Sequence, residues 1–290
     1  MAGTQKINEK HGRVPKIKLI ALDLDGTTLG EAGISPATVA VLEKAIRKGV
    51  HVVIATGRVF CSLPEDVFRI RGLEYVINSN GAHITYLPEQ EVIYSNCIGA
   101  GDILAVADIL EANRVHPIEV FTEGRAYIDE EVYHDLAQSG SDFMNAAYVL
   151  ATRTPVTGIY DFLRRHSGSI ENINIHFRDL GDKADFWRLL GQRPGITVTS
   201  SVKHNLEIGG ATTSKAAAIA WLCRRLAIGE ENVMACGDSP NDIAMLKAAG
   251  LGVAVGNAEE EVKEIADFIS RSNLEDGVAY AVKKFVLGEE

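Results

Sequence analysis

The chain has 290 residues, of which 46% are hydrophobic and 23% charged, a composition typical of soluble globular proteins and a length that favours two domains over one core. Its formal net charge of −10 comes without a basic stripe, which argues against nucleic acid as the main partner and means that an anionic substrate would need a local cation. The sequence contains no run of about 18 apolar residues, so a membrane-spanning segment is not expected.

The first residues and the cysteines bear on the cellular compartment. Residues 1–14 are polar and lack the apolar core of a secretory signal, so they are predicted to form a flexible N-terminal extension. The four cysteines show neither CxxC nor zinc-site spacing: Cys61, Cys97, Cys223 and Cys236. Disulfides and a zinc site are therefore not expected, and a reducing cytoplasm is the predicted compartment.

Two aspartates follow the first apolar run of the chain. The segment from Ile17 to Ala21 predicts a buried parallel strand, and the sequence Asp23-Leu24-Asp25-Gly26 comes after it. Ligands of open α/β sheets bind at the carboxyl ends of the strands. Because an ionised carboxylate is costly to bury unless it is paired, the two aspartates indicate a site for a cation, a substrate, or both.

A helix near Pro36–Lys48 and a strand at His51–Ala55 are predicted next. The strand leads into Thr56-Gly57-Arg58, where a hydroxyl and a backbone N–H stand at a strand end. Such groups bind phosphate oxygens. A hairpin is predicted after the Ser79-Asn80-Gly81 segment, from Ala82 to Tyr94.

A long insertion separates Thr56 from the lysine of the next motif, because Thr56 and Lys215 are 159 residues apart. A strand–helix–strand crossover needs far fewer residues. The predicted insert covers residues 97–200, and the first domain consists of residues 15–96 and 201–290. Within the insert, helices are predicted near 101–113, 130–138, 156–166 and 182–190, and strands near 115–121, 125–128, 170–177 and 196–199. This mixture predicts a sheet with helices on one face.

After the insert, the arrangement of strand, acidic loop and helix occurs again. Ser214 and Lys215 open a predicted helix, and the apolar run Asn232–Cys236 leads into Gly237-Asp238-Ser239-Pro240-Asn241-Asp242. The two aspartate loops can meet only if their strands are neighbours in one sheet. Carboxylate oxygens of this kind suit Mg²⁺.

The chain resembles the haloacid dehalogenase (HAD) superfamily of phosphatases in four motifs that occur in the family's order: DLDGTTL, ATGR, the Ser-Lys pair at a helix start, and GDSPND. The flanking segments SNGA, LEI, GVAVGNA and EDGVA resemble the Cof-type, subfamily IIB branch. The resemblance runs from about Ile17 to Val286. It implies an α/β fold, in which a Rossmann-like core with a parallel sheet and helices on both faces carries an inserted α/β cap of the C2 type. It also implies an Mg²⁺-dependent phosphatase of small phosphorylated metabolites such as sugar phosphates.

The resemblance further implies a role for each motif residue. Asp23 is expected to attack phosphorus and form an aspartyl-phosphate, and Asp25 to act first as general acid and then as general base. Mg²⁺ would be held by Asp23, the backbone carbonyl of Asp25 and Asp238, with Asp242 in support.

Other residues are expected to contact the phosphoryl oxygens: Thr56, Lys215, Asn241 and the backbone N–H groups of Leu24 and Gly57. Arg58 is expected either to pair with a carboxylate or to face the substrate, and Asn80 is a further candidate for the substrate site.

Two other functions remain open at this stage. A phosphomutase of related fold would use the same motifs, and a non-enzymatic phosphate-binding regulator would retain the phosphate site alone. A dehalogenase is disfavoured because that chemistry does not need Asp25. The sequence predicts neither the individual substrate nor the oligomeric state.

Overall fold

The computed structural model describes residues 16–115, 117–139 and 144–289. It divides into two compact units. The first unit consists of the chain up to Thr56, Pro64–Tyr94 and the chain from Ser214 onward, and the second of Gly57–Leu63 and Ser95–Thr213. The N-terminal extension expected at residues 1–14 lies outside the described residues and stays a prediction.

The first unit contains an eight-stranded sheet. Its strands, numbered along the whole chain, are β1 Leu19–Leu22, β2 His51–Ala55, β3 Tyr75–Asn78, β4 His83–Tyr86, β5 Glu91–Ser95, β12 Val233–Gly237, β13 Leu251–Ala254 and β14 Phe268–Ile269. Their order across the sheet is β14-β13-β12-β1-β2-β3-β4-β5. The pairs from β14 to β3 are parallel, and β4 runs antiparallel to β3.

The position of β1 explains how the motifs meet. All four of its residues are buried, and Leu22 is level with Ile54 of β2 on one side and with Cys236 of β12 on the other. Because parallel strands end at the same edge of a sheet, the loops after β1, β2 and β12 emerge side by side. The prediction that the two aspartate-bearing strands are neighbours is confirmed.

The helices of the first unit are α1 Pro36–Arg47, α2 Glu65–Arg69, α8 Lys215–Leu226, α9 Ile243–Ala248, α10 Glu260–Ile265 and α11 Gly277–Val282. Local signals explain where α1 and α8 begin. The hydroxyl of Ser35 accepts the N–H of Thr38, and the hydroxyl of Ser214 accepts the N–H of Ala217. Serine is a favoured N-cap residue, so the cap at Ser214 makes Lys215 the first residue of α8.

The second unit contains a six-stranded sheet in the order β10-β11-β9-β6-β7-β8. The strands are β6 Ile118–Thr122, β7 Arg125–Asp129, β8 Arg153–Val156, β9 Ile170–His176, β10 Ile196–Thr199 and β11 Asn205–Gly210. The helices are α3 Ala100–Ala112, α4 Glu130–Ser139, α5 Ala146–Thr152, α6 Ile159–Arg165 and α7 Leu180–Leu190.

Helices lie on both faces of this second sheet, so the prediction of helices on one face alone is wrong. Leu110 of α3 packs in one apolar cluster with Ile173 of β9, and Tyr127 of β7 packs against that cluster. The next residue, Ile128, instead packs with Leu136 of α4 and with residues of α5. Because successive strand residues point to opposite faces, α4 and α5 cover the other face at the β7 end.

The second unit also extends beyond the predicted boundaries at 97 and 200. β11 pairs antiparallel with both β9 and β10, and residues 201–213, predicted to belong to the first domain, are part of the second unit. Helix α5 and strand β8 were not predicted. Pro155 in β8 argues against a central strand, and β8 is tolerated because it lies at the edge of its sheet.

Candidate active site

The loop after β1 holds its two aspartates in different surroundings. Asp23 is only 6% exposed. Its N–H donates to the carbonyl of Cys236 at 2.9 Å, and its carbonyl accepts the hydroxyl of Thr28 at 2.5 Å. Asp25, in contrast, is exposed. Asp23 is therefore fixed in the interior at the end of the strand, whereas the other aspartate is accessible to solvent.

The same loop contacts the acidic loop after β12 closely. Gly26 has a φ of +78°, and a Cβ on it would lie 2.5 Å from Oδ2 of Asp238. The hydroxyl of Thr27 donates to Oδ1 of Asp238 at 2.6 Å. Glycine is required at this position because it permits both the left-handed backbone and the close approach of the carboxylate.

The loop after β12 is organised by Asp242, which is fully buried. Its Oδ2 accepts the N–H groups of Asp238 at 2.9 Å and Ser239 at 3.1 Å. The hydroxyl of Ser239 donates to Oδ2 of Asp238 at 2.9 Å. The carboxylate of Asp238 is therefore held by hydroxyl donors, and the loop backbone is held by Asp242.

Lys215 joins the two loops. Its side chain is 1% exposed, and its Nζ lies 2.6 Å from Oδ1 of Asp23 and 2.7 Å from Oδ1 of Asp242. Charge-assisted hydrogen bonds of this length are the strong ones. A buried ammonium group thus bridges the aspartate of the first loop and the supporting aspartate of the second.

The site carries more negative than positive charge. Burial raises the pKa of Asp23 well above its usual range, and Asp242 and Asp238 raise it further against the opposing effect of Lys215. Burial also raises the pKa of Asp238, although its hydrogen bond from Thr27 lowers it. For Lys215 burial acts to lower the pKa, but Asp23 and Asp242 outweigh it, so the ammonium form is stabilised. Three carboxylates around one ammonium leave an excess that a further cation would neutralise.

The donor set fits a hard divalent cation. Asp23, Asp238 and Asp242 each offer an oxygen, and these three atoms lie within 4.8 Å of one another. All are carboxylate oxygens, the ligands that Mg²⁺ prefers. Both oxygens of Asp242 already accept hydrogen bonds from Lys215 or from backbone N–H groups, which suits a supporting position rather than a direct ligand.

Three other predicted site residues lie together in the first unit. The carbonyl of Thr56, a residue 1% exposed, accepts the N–H of Asn80 at 3.0 Å. Oδ1 of Asn80 accepts Nδ2 of Asn241 at 3.1 Å. The loops after β2, β3 and β12 are thus joined by direct hydrogen bonds.

A family model described as haloacid dehalogenase-like hydrolase matches residues 20–282. The chain belongs to this family. The 5-amino-6-(5-phospho-D-ribitylamino)uracil phosphatase YcsE of Bacillus subtilis is 33% identical over 279 residues, which are 93% of this chain and 96% of the relative.

Solved structures agree with this assignment. A haloacid dehalogenase-like hydrolase from B. subtilis has a TM-score of 0.80 at 31% identity, covering 92% of this chain and 99% of its own. A HAD subclass IIB sugar phosphatase has a TM-score of 0.76 at 25% identity, covering 92% of this chain and 98% of its own. The predicted Cof-type HAD fold is confirmed, and the protein is a phosphoric monoester hydrolase.

Two predicted residues of this HAD hydrolase belong to the second unit. Gly57 and Arg58 fall in the segment Gly57–Leu63. The guanidinium of Arg58 donates to the carbonyl of Ser62 at 3.0 Å and lies 4.8 Å from the ring centroid of Tyr148. The prediction that Gly57 and Arg58 serve the phosphate site stays a prediction. Leu24 is buried directly after Asp23.

Sequence reasoning missed the hydroxyl donors to Asp238. Thr27 and Ser239 lie inside the DLDGTTL and GDSPND motifs, so their positions were visible. A signal for their role was the density of aspartates, because buried carboxylates need hydrogen-bond donors and hydroxyls are the nearest candidates in both motifs.

Two further observations concern the described residues only. Cys223 and Cys236 are buried, and none of the four cysteines forms a disulfide there. Within residues 16–115, 117–139 and 144–289, no helix combines the length and apolarity that crossing a membrane requires.

Proposed function

We propose that this HAD hydrolase is an Mg²⁺-dependent phosphatase of small phosphorylated metabolites, with sugar phosphates and related polyol phosphates as its substrate class. The observation that carries the proposal is the buried ammonium of Lys215 bridging Asp23 and Asp242, with Asp238 beside them. The substrate class is supported by the relatives, one named for a ribityl phosphate and another for sugar phosphates. The second unit is proposed to be the C2-type cap that selects among substrates.

The carboxylates of Asp23 and Asp238 and the backbone carbonyl of Asp25 would hold Mg²⁺, with Asp242 in support. When bound, the ion offsets the repulsion between these carboxylates and the phosphate group of the substrate.

Asp23 is the proposed nucleophile. Its carboxylate oxygen forms a bond to phosphorus while the bond from phosphorus to the ester oxygen breaks, which gives an aspartyl-phosphate and an alkoxide leaving group. The hydrogen bond from Lys215 orients the carboxylate of Asp23, and the hydrogen bond to Cys236 fixes its backbone.

Asp25 is the proposed acid and base. Its protonated carboxyl donates to the leaving oxygen, and the carboxylate that remains then accepts a proton from the water that attacks phosphorus. The bond between Asp23 and phosphorus breaks in this second step, and inorganic phosphate leaves. The exposure of Asp25 supports this role because both the leaving group and the water must reach it.

The remaining residues are proposed to stabilise charge on the transferring oxygens. Lys215 would do so through its ammonium group, Thr56 through its hydroxyl and Asn241 through its side-chain amide. Leu24 and Gly57 would donate their backbone N–H groups.

A metabolite screen with phosphate release as its readout tests the proposal. We expect release to require Mg²⁺, to stop with a chelator, and to be abolished in Asp23→Asn, which retains the shape of the side chain. Glu65→Gln is the matched control, because its carboxylate is 88% exposed and pairs with Arg69 at the surface. Full activity of Asp23→Asn would contradict the covalent mechanism, and full activity in chelator would contradict the metal requirement.

A further inference from the structure

Three consecutive residues with positive φ form the turn after β3. The φ values of Ser79, Asn80 and Gly81 are 47°, 56° and 99°. Side-chain-bearing residues rarely adopt this region, and asparagine is among the few that tolerate it. Such turns are common at exposed loop tips, but Asn80 is only 6% exposed. A buried left-handed asparagine therefore needs an explanation beyond chain reversal.

The turn contacts three of the segments that carry proposed phosphate ligands. The N–H of Asn80 donates to the carbonyl of Thr56 at 3.0 Å, after β2. A Cβ on Gly81 would lie 2.2 Å from the carbonyl oxygen of Ser214. The turn therefore packs directly against the start of α8, whose first residue is Lys215. Oδ1 of Asn80 accepts Nδ2 of Asn241, after β12.

The side-chain amide of Asn241 is anchored at one end. Its Nδ2 donates one hydrogen to Asn80, which leaves the second hydrogen for another acceptor. Its Oδ1 is buried and has no hydrogen-bond partner among the residues that the structure describes. A rotation of this amide by half a turn would exchange a donor for an acceptor, and an acceptor facing phosphate oxygens would repel them.

Resting on the proposed function, in which Asn241 contacts the phosphoryl oxygens, we propose that Asn80 is a positioning residue that fixes the Asn241 amide with Nδ2 towards the phosphate. The left-handed backbone of Asn80 lets one residue hold the Thr56 loop through its N–H and the Asn241 amide through its side chain. Alanine would lack the acceptor and fit this backbone poorly, and glycine would fit it but lack the acceptor.

Asn80→Gly separates these two contributions, because glycine keeps the backbone conformation and the N–H but removes Oδ1. Loss of one neutral hydrogen bond predicts a fall of about 2- to 10-fold in kcat/KM for p-nitrophenyl phosphate, and a similar weakening of inhibition by inorganic phosphate. The melting temperature should change little. Gln90→Gly is the matched control, since Gln90 is exposed, has a φ of 52° and lies in the turn between β4 and β5. It should leave kcat/KM unchanged.

A double-mutant cycle with Asn241→Ala distinguishes positioning from a merely structural role. If Asn80 acts through Asn241, then Asn80→Gly should cause no further loss of kcat/KM in the Asn241→Ala background. Asn80→Asp keeps the acceptor and tolerates the left-handed backbone. Its kcat/KM should therefore still depend on Asn241 as strongly as that of the wild type.

The outcomes separate this inference from the proposed function. A wild-type protein without Mg²⁺-stimulated phosphatase activity would overturn the proposed function and this inference with it. If the wild type is active and Asn241→Ala is impaired, but Asn80→Gly matches the wild type or the two losses multiply, the inference alone is wrong. Should Asn80→Gly fail to fold, Asn80→Asp decides: if its kcat/KM no longer depends on Asn241, although its acceptor is kept, the inference is overturned.

Discussion

Replacement of Lys215 by methionine tests the electrostatic basis of the site. Methionine has a similar length and apolar stem, so Lys215→Met removes the ammonium without opening a large cavity. In the native protein Nζ of Lys215 lies 2.6 Å from Oδ1 of Asp23 and 2.7 Å from Oδ1 of Asp242. The substitution therefore leaves the carboxylates of Asp23, Asp238 and Asp242 without this ammonium group.

The magnitude follows from the burial of the pair. Removing one partner of a buried ion pair costs about 3–5 kcal/mol, because the remaining charge stays uncompensated. For a protein of this size about 2–4 °C of melting temperature is lost per kcal/mol, which predicts a fall of roughly 6–20 °C. Under the proposed role of Lys215 as a charged donor to the transferring phosphate, its loss predicts a fall in kcat of about 10²- to 10³-fold or more.

The deficit should depend on pH in a defined direction. A lysine whose folded-state pKa is raised contributes stability that is fully present below its unfolded pKa of about 10.4, so the wild type has the whole contribution at neutral pH. In the variant, the carboxyls with raised pKa take up protons in the folded state as the pH falls. The difference in unfolding free energy between wild type and variant should therefore shrink as the pH falls from neutral towards the ordinary aspartate pKa of about 3.9.

Urea unfolding in the presence of a chelator, followed by circular dichroism, measures the effect without a contribution from metal binding. Lys44→Met is the control, because Lys44 is 47% exposed and pairs with Glu289 at the surface, where an ion pair contributes about 0–1 kcal/mol. A loss in Lys215→Met no larger than that of Lys44→Met would refute the reasoning.

Three other predictions follow from single contacts. Burial opposes ionisation of Glu119, but Arg153 and His176 outweigh it and lower its pKa to about 2. The carboxylate therefore contributes about 3 kcal/mol to the free energy of unfolding, which is present above pH 4.5 and lost as the pH falls towards 2. The urea midpoints of wild type and Glu119→Gln should accordingly converge in acid, and a constant difference would contradict this. Gly81→Ala should destabilise by about 2 kcal/mol or more in urea titrations, because its φ is 99° and its Cβ would meet a carbonyl oxygen, whereas Gly101→Ala in α3 meets no atom within 4 Å and should be neutral or stabilising. Asp25→Ala should retain phosphorylation by an aryl phosphate far better than by an alkyl phosphate, because a phenolate leaves without a proton. It should also accumulate phosphoenzyme in rapid-quench samples, because the second step lacks its base. Equal losses for both esters and no trapped intermediate would remove Asp25 from acid–base catalysis.

Features with a local physical cause were predictable from the sequence. The strand His51–Ala55 has its predicted bounds because its central residues, Val52, Val53 and Ile54, have a strong strand preference and the run ends at Thr56-Gly57. Helix α8 begins at Lys215 because Ser214 caps it. The neighbourhood of β1 and β12 followed from the chemistry of their loops, since two groups of carboxylates that share one cation must lie at one edge of a sheet.

Features that depend on distant pairing were not predictable. Strand β11 belongs to the second sheet because its residues pair with β9 and β10. The local sequence of Asn205–Gly210 does not indicate with which strands it pairs. Arg58 lies only two residues after Thr56, but its side chain is held by Ser62 and Tyr148 of the second unit.

The sequence by itself determined which residues are the candidates for the chemistry, because aspartate pairs after buried strands, a capped lysine and glycine turns are local patterns with local physical causes. Only the tertiary structure decided how those residues are held. The bridge of Lys215 between Asp23 and Asp242, the hydroxyl of Thr27 on Asp238, and the hydrogen bond between Asn80 and Asn241 join positions from 27 to 211 residues apart. Such contacts exist only once the sheet has set the order and register of its strands, and that order is a property of the packed chain rather than of any segment.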